Sequence, residues 1–345
     1  MSKVFSSLGR NLSIDMGSIN THVYVEGRGI VVSEPSLVAT DTKQEGIIAV
    51  GSEAERLLLR TPDMLDALRP LKDGFIVDYR VTHTMLNYFI HKASKSVRRS
   101  RVFMSIPCGM TDVEQRAMTD AVIQAGAREV YLLETPVLAA LGSGLPIFDS
   151  YGSMAVDIGG GTVDIGILAL GGTVISRSVR CGGGDFNAVI LQYIKQCFSV
   201  MVADDTVEEI KCTLATALMP EEDLEYTFLG RDTSNGLMKR SVIHSYEIYE
   251  VLQEPICRII NEIKNVIRQT SPELVADIME NGMVLTGGSA QLTGLAECIA
   301  KEIGIPVHVP DDPSLTVARG LGVAAKQFSM MTRYIVASKN RKGRI

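Results

Sequence analysis

The sequence predicts an α/β fold made of two similar lobes, a duplicated domain whose copies face each other across a phosphate-binding cleft. Three observations carry this expectation. The first is an internal echo: LSIDMGSINTHVYV (residues 12–25) and MAVDIGGGTVDIGIL (154–168) share one plan. Each reads as an apolar strand, Asp-x-Gly, a turn of small residues and a second strand of alternating character. Asp15 and Asp157 stand 142 residues apart, near the length of one lobe. The second is the run Gly159, Gly160, Gly161 between Asp157 and Asp164. Glycine has no Cβ to keep a phosphate from the backbone N–H groups, so a bare turn framed by carboxylates points to a phosphate site. The third is GMVLTGGSAQLTGLAECIAKEIG (282–304), a short apolar strand, a Gly-Gly turn and a helix of apolar period. The first N–H groups of such a helix are unsatisfied and carry partial positive charge.

The remaining elements follow from local signals. TDVEQRAMTDAVIQAGA (111–127) opens on a capping box, Thr111 with Glu114, and ends at Gly126. DTVEEIKCTLATAL (205–218) offers a second box, Thr206 with Glu209, and Ser271 before Pro272 starts another helix. EYTFLGRDTSNGLMKRSVIHS (225–245) reads as a hairpin turning at Asn235-Gly236. No G-x-x-x-x-G-K-[ST] loop occurs and no G-x-G-x-x-G follows a strand, which sets aside Walker and Rossmann sites.

Composition bounds the function. With 345 residues, 46% of them hydrophobic, the chain can bury the cores of two ordinary domains. A net charge of −6 gives no electrostatic ground for nucleic-acid binding. The six cysteines (Cys108, Cys181, Cys197, Cys212, Cys257, Cys298) form no C-x-x-C pair, and no histidine stands at ligand spacing. Reduced thiols in a cytoplasm are expected, with neither zinc nor a disulfide framework. The segment MSKVFSSLGRNLSIDMG lacks the apolar core of a signal peptide, and no apolar run is long enough to span a membrane.

The motifs together resemble a known family. DMGSINTHVYVEGRGIVVSEPSLVA (15–39), RPLKDGFIVDY (69–79), DIGGGTVDIGILALGGTVISRSVR (157–180), VEEIK (207–211) and VLTGGSAQLTGL (284–295) are similar to MreB, the bacterial actin homologue, over roughly residues 10–328. The resemblance implies an actin-like two-lobed ATPase fold with duplicated RNase H-like domains and a nucleotide cleft between them. The first lobe would comprise residues 1–146 and 316–345 with a small insertion at about 33–68, the second 147–315 with an insertion at about 183–246. It implies ATP and Mg²⁺ as cofactors, with Asp15 and Asp157 beside the metal. Gly17, Ser18, Ile19 and Asn20 match the first phosphate loop, and Gly159, Gly160, Gly161 and Thr162 the second. Glu208, Glu209 and Lys211 match the nucleoside-lining segment; Gly287, Gly288, Ser289 and Ala290 match the turn across the adenosine. Asp164 reads as a strand or supporting residue. The implied function is a filament-forming cytoskeletal protein of cell shape, helicity or motility that associates with itself into protofilaments. The alternative is a small-molecule kinase of the same superfamily.

Two departures from the family pattern matter. In LLETPVLAALGSGLP (132–146) Glu134 stays, but Thr135 stands where the water-orienting glutamate is expected. Threonine cannot take a proton at neutral pH as a carboxylate can, and losing a positioned base lowers rates about 10²- to 10⁴-fold. The catalytic set becomes Thr162, Thr135 and Glu134, and slow ATP hydrolysis is expected, with Thr162 left to orient water. In RCGGGDF (180–186) Gly184-Asp185 replaces the usual Gly-Asp-Glu. The loss of the water-orienting glutamate, with a 91–103 loop that has no apolar pair at its tip, implies a specialised paralogue, of the kind expected in a wall-less, helical or swimming bacterium.

Membrane contact would be electrostatic and peripheral, at the inner face of the cell membrane. HKASKSVRRSRVF (91–103) holds five bases between Lys92 and Arg101, and the tail TRYIVASKNRKGRI (332–345) holds Arg333, Lys339, Arg341, Lys342 and Arg344 with no acid. Each base near an anionic leaflet contributes about 1 kcal/mol. Val4, Phe5 and Leu8 make one apolar face too short for an anchor.

Overall fold

The two echoed stretches fold into hairpins, as their alternation requires. Leu12–Met16 pairs antiparallel with Asn20–Val25, and Gly29–Pro35 adds a third antiparallel strand. On its other side Leu12–Met16 pairs parallel with Arg101–Ile106, which pairs parallel with Glu129–Glu134. The second copy repeats the plan: Ser153–Ile158, Val163–Ala169 and Gly172–Val179 form the antiparallel meander, and Met283–Thr286 and Val307–His308 follow in parallel. Each sheet thus has one central strand, a meander on one side and parallel strands on the other. Ser153–Ile158 and Val163–Ala169 are buried at every position, as strands covered on both faces must be. The computed structural model describes residues 11–41, 46–61, 64–94 and 100–341.

Helices supply the covering layers. Tyr79–Ala93 packs Met85, Leu86, Phe89 and Ile90 against Leu12, Ile14 and Met104 of the first sheet. Ser245–Arg268 packs Leu252, Ile256, Ile259 and Ile263 with Val156, Ile165 and Ile167 of the second. A further core lies between the sheets, on the helices Thr135–Gly142 and Thr316–Lys326, and joins Phe103 and Leu133 to Ala155, Leu168 and Val284. These two helices cross with their backbones almost touching. A Cβ on Gly320 would lie 1.9 Å from the Leu138 carbonyl oxygen, and one on Gly142 2.0 Å from that of Thr316. Small sheets of three strands stand at Val38–Asp41, Ile47–Val50 and Leu65–Leu68, and at Val200–Met201, Glu225–Asp232 and Met238–His244.

Most local signals hold. The Thr111–Glu114 box forms in both directions, and the helix Asp112–Gln124 stops before Gly126. Ser271 precedes the helix Pro272–Asn281, and the 225–245 hairpin turns through Gly236 at φ 74°. Two expectations need correction. Thr206 caps nothing: the helix Asp204–Leu214 begins two residues earlier, where Asp204 and Asp205 bring negative charge to its N-terminus. The Gly-Gly turn does not open directly into an α-helix. Gly287 adopts φ 89° against the backbone of Ile158, and a 3₁₀ turn over Gly288–Gln291 intervenes before the helix Leu295–Ile303.

Part of the basic tail is built into the first sheet. Ile335–Asn340 is an edge strand antiparallel to Glu129–Glu134, so this part of the tail is not a free arm. Lys339 is paired with Asp120, and the Arg341 N–H donates to the Arg128 carbonyl. In the 91–103 stretch Lys92 is paired with Glu34 and Arg101 with Glu129. Lys95, Arg98, Arg99, Lys342 and Arg344, like Val4, Phe5 and Leu8, lie outside the described residues. Among the described residues no helix is long and apolar enough to cross a membrane.

Candidate functional site

The duplication brings two carboxylates to equivalent places. Asp15 stands opposite His22 in the first hairpin, and Asp157 opposite Asp164 in the second. In each copy the neighbouring parallel strand supplies a hydroxyl. Ser105 Oγ donates to Asp15 Oδ1 at 2.6 Å, and Thr286 Oγ1 donates to Asp157 Oδ1 at 2.7 Å. The turns match too: the Gly17 N–H bonds the Asn20 carbonyl at 2.9 Å, and the Gly159 N–H that of Thr162 at 2.8 Å.

Burial dominates the electrostatics. It pushes the Asp157 carboxyl up to about 7 against the pull of the Thr286 hydroxyl, and the charges of Asp15 and Asp164 add to the rise. Burial also raises Asp15, opposed by His22 and Ser105. Asp164 is pushed up to about 6 by burial, against hydrogen bonds from Cys108, Ser178 and Thr162. Three carboxyls whose burial raises their hold on a proton, gathered in one place, are the chemistry expected where positive charge is bound.

A cavity of about 540 Å³ opens between the ends of the two sheets. That is the size of a small-molecule site. Asp15 and Asp157 line it, with Gly17, Ser18, Ile19, Asn20, Gly159, Gly160, Gly161 and Thr162. The glycine run has a second purpose that the sequence did not reveal. A Cβ on Gly160 would meet Ile19 Cγ1 at 2.2 Å, and one on Gly161 would meet Ser18 Oγ at 2.9 Å, so the side chains of the first loop close on the second only because the second is bare.

Farther along the cavity, Glu208 and Lys211 face Gly287, Gly288 and Ser289. Glu208 Oε2 accepts from Lys211 Nζ and from Asn187 Nδ2, both at 2.7 Å. Burial alone would raise this carboxyl, but those two donors hold it below its ordinary value. Ser289 Oγ donates to the Gly159 carbonyl at 2.9 Å, tying the far wall to the glycine turn.

Three expected residues stand off this wall. Successive helix positions point about 100° apart, so Glu209 turns away from Glu208 and accepts from Tyr226 Oη at 2.7 Å. Ala290 is buried in the second sheet's core. Glu134 ends its strand without lining the cavity, whereas Thr135 lines it and donates its hydroxyl to the Ile106 carbonyl at 3.0 Å. Conversely, Ser105, Asn187, Thr286 and the cavity-lining Asp164 and His22 take places that the motif reading did not give them. The displaced acid of RCGGGDF also finds its place: Asp185 accepts from the Gly182 N–H at 2.9 Å and closes the start of the helix Gly183–Tyr193.

This geometry agrees with comparisons to known proteins. The sequence profile of the MreB/Mbl protein family matches residues 9–333. The cell shape-determining protein MreB of Escherichia coli K12 is 43% identical over 338 residues, 96% of this chain and 97% of that one. Mbl of Bacillus subtilis 168 is 41% identical over 316 residues, 91% of this chain and 95% of that one. The crystal structure of MreB5 of Spiroplasma citri bound to ADP superposes with a TM-score of 0.87 at 30% identity, covering 92% of this chain and 97% of that one. A MamK double helical filament shares the fold, with a TM-score of 0.77 at 20% identity over 92% of this chain and 99% of that one. With an actin-like fold, twin acidic turns on one cavity and a family match over nearly its whole length, this chain belongs to the MreB/Mbl family of bacterial actin homologues.

Proposed function

We propose that this protein is an ATP-binding subunit of the cell-shape cytoskeleton, in which Mg²⁺–ATP fills the cavity between the two sheets, sets their relative angle and so tunes the contacts between successive copies. The observation that carries this reading is the twin arrangement of carboxylate, hydroxyl and bare turn, repeated at the floor of one cavity. Relatives named cell shape-determining proteins and MreB5 structures bound to ADP and AMPPNP support it. The family match leaves the kinase alternative without specific support. On this reading residues 1–146 with 316–345 form one lobe and 147–315 the other.

The residues fit a magnesium ion. Among the described residues no three His, Cys, Asp or Glu side chains gather to hold a metal by themselves. Mg²⁺ asks for less: one or two carboxylates, with water and phosphate oxygens completing its shell. Asp15 and Asp157 would hold it, and bound there it would neutralise charge on the phosphates. The turn N–H groups cradle the phosphates, Glu208 receives ribose hydroxyls, and Lys211 lies along the base.

Magnesium-ATP is expected to drive this protein into a sedimentable form that electron microscopy shows as filaments. Protein that stays in the supernatant at every concentration, with and without nucleotide, would overturn the filament reading. Hydrolysis is expected to be slow, because Thr135 cannot act as a base and its hydroxyl is committed to Ile106. Thr135→Glu is expected to raise phosphate release about 10²-fold; equal rates for the two proteins would refute this account of the slow step. Any membrane attraction rests on the bases left free of ion pairs and would weaken as salt screens them.

A further inference from the structure

Asp164 is 1% exposed, and every hydrogen bond to its carboxylate comes from a donor. Oδ1 accepts the backbone N–H of Cys108 at 2.9 Å, and Oδ2 accepts the hydroxyl of Thr162 at 2.9 Å. Cys108 follows the Arg101–Ile106 strand of the first sheet and Asp164 belongs to the second, so this bond bridges the two. A threonine hydroxyl has one hydrogen and two lone pairs. With its hydrogen committed to Asp164, Thr162 presents only lone pairs to the cavity. Thr135 is in the same condition, because its hydrogen is committed to the Ile106 carbonyl. Both threonines line the cavity, so its wall carries two hydroxyl oxygens that can only accept.

From this geometry we infer that Asp164 is a positioning residue for ATP hydrolysis: it fixes Thr162 as an acceptor, so that a water donating one hydrogen to Thr162 and the other to Thr135 turns a lone pair toward the γ-phosphorus. The inference rests on the ATP-binding reading above. In the step itself the water oxygen bonds to the γ-phosphorus, and the bond from that phosphorus to the β–γ bridging oxygen breaks with its electron pair remaining on ADP. The water proton leaves to an oxygen of the departing phosphate, so no further reactant is needed. The threonines orient the water and take no proton, which accords with a slow reaction. Because the Cys108 N–H reaches Asp164 from the other sheet, the arrangement is complete only when the two sheets stand as they do here. Hydrolysis is thereby tied to the angle between them.

Asp164→Asn is a sharp test, because the backbone dictates how the amide sits. The Cys108 N–H can only donate, so the amide oxygen must face it and the NH₂ must face Thr162. Thr162 then accepts from Asn and points its own hydrogen into the cavity, reversing its polarity while shape and packing are kept. Phosphate release at saturating ATP is expected to fall about 10²-fold, while AMPPNP affinity, measured by calorimetry, stays within about threefold. Thr162→Val is expected to fall as far, and the double variant no farther than Thr162→Val alone, because the two side chains act as one unit. Asp164→Asn that releases phosphate at the wild-type rate, or a double variant slowed by the product of the single effects, would overturn the inference. If Asp164→Asn does not fold, Thr162→Ser decides: it keeps the hydroxyl and should keep the rate that Thr162→Val loses, and equal rates for these two would also overturn the inference. Wild-type protein that binds AMPPNP yet releases no phosphate refutes the inference alone, whereas wild-type protein that binds no nucleotide refutes the functional reading beneath it.

Discussion

Asp157→Asn is expected to abolish magnesium-dependent ATP binding and, at the same time, to make the ligand-free protein more stable at about pH 8. Burial raises the folded Asp157 carboxyl from the ordinary range near 4 to about 7, so between those values the folded chain holds a proton that the unfolded chain has released. The stability linked to that proton is fully present below about pH 4 and is lost as pH rises through about 7, at up to about 1.4 kcal/mol per unit. Asparagine has the same shape, keeps an oxygen for the Thr286 hydroxyl and carries no charge to desolvate. Urea unfolding at about pH 5 and about pH 8 should therefore show a smaller fall in stability for the variant than for the wild type. Asp15 and Asp164 are raised too and leave part of the slope in place. Adding Mg²⁺–ATP should restore wild-type stability above neutral pH, since the metal binds the ionised carboxylate. The variant should gain nothing from it. An Asp157→Asn protein that takes up Mg²⁺–ATP as the wild type does would remove the ground for a metal at the paired carboxylates.

Gly320→Ala is expected to destabilise the protein by about 3 kcal/mol or more, at the upper end of what overpacking produces. The added Cβ would lie 1.9 Å from the Leu138 carbonyl oxygen, 2.7 Å from its carbon and 3.0 Å from the Gly142 nitrogen. All three are backbone atoms, so no side-chain rotation relieves the clash and the helices Thr135–Gly142 and Thr316–Lys326 must move apart. They carry the core between the two sheets, so separating them should also spoil the cavity and weaken ATP binding. Thermal melting compared with Gly46→Ala, where a Cβ meets nothing within 4 Å, reads the effect directly. A Gly320→Ala protein that melts with the wild type would mean that this crossing is looser than the geometry implies.

Both variants act on parts of the molecule that were unequally visible in the chain. Asp157 was legible because its strand, turn and second strand are contiguous and recur at Asp15. Gly320 carried no such signal, since its partners Leu138 and Gly142 lie on a helix far away in the chain. The cavity divides the same way. Turn glycines and paired aspartates could be named from one stretch, and Glu208 and Lys211 came with the family resemblance. Choosing Glu208 over Glu209 required the rotation of the helix against the second sheet.

What the sequence by itself determined is what contiguous residues decide: alternation that makes strands, glycines that make bare turns, capping residues that start helices, and a repeat that doubles the whole. Only the tertiary structure decided that Ser105 and Thr286 hold the two aspartates, that Asp164 accepts the Thr162 hydroxyl, and that residues 335–340 of the basic tail form a sheet edge tied to Asp120. The physical reason is range. Local patterns act within a turn or a strand, whereas hydrogen-bond direction and close backbone approach depend on residues that meet only after distant segments have packed.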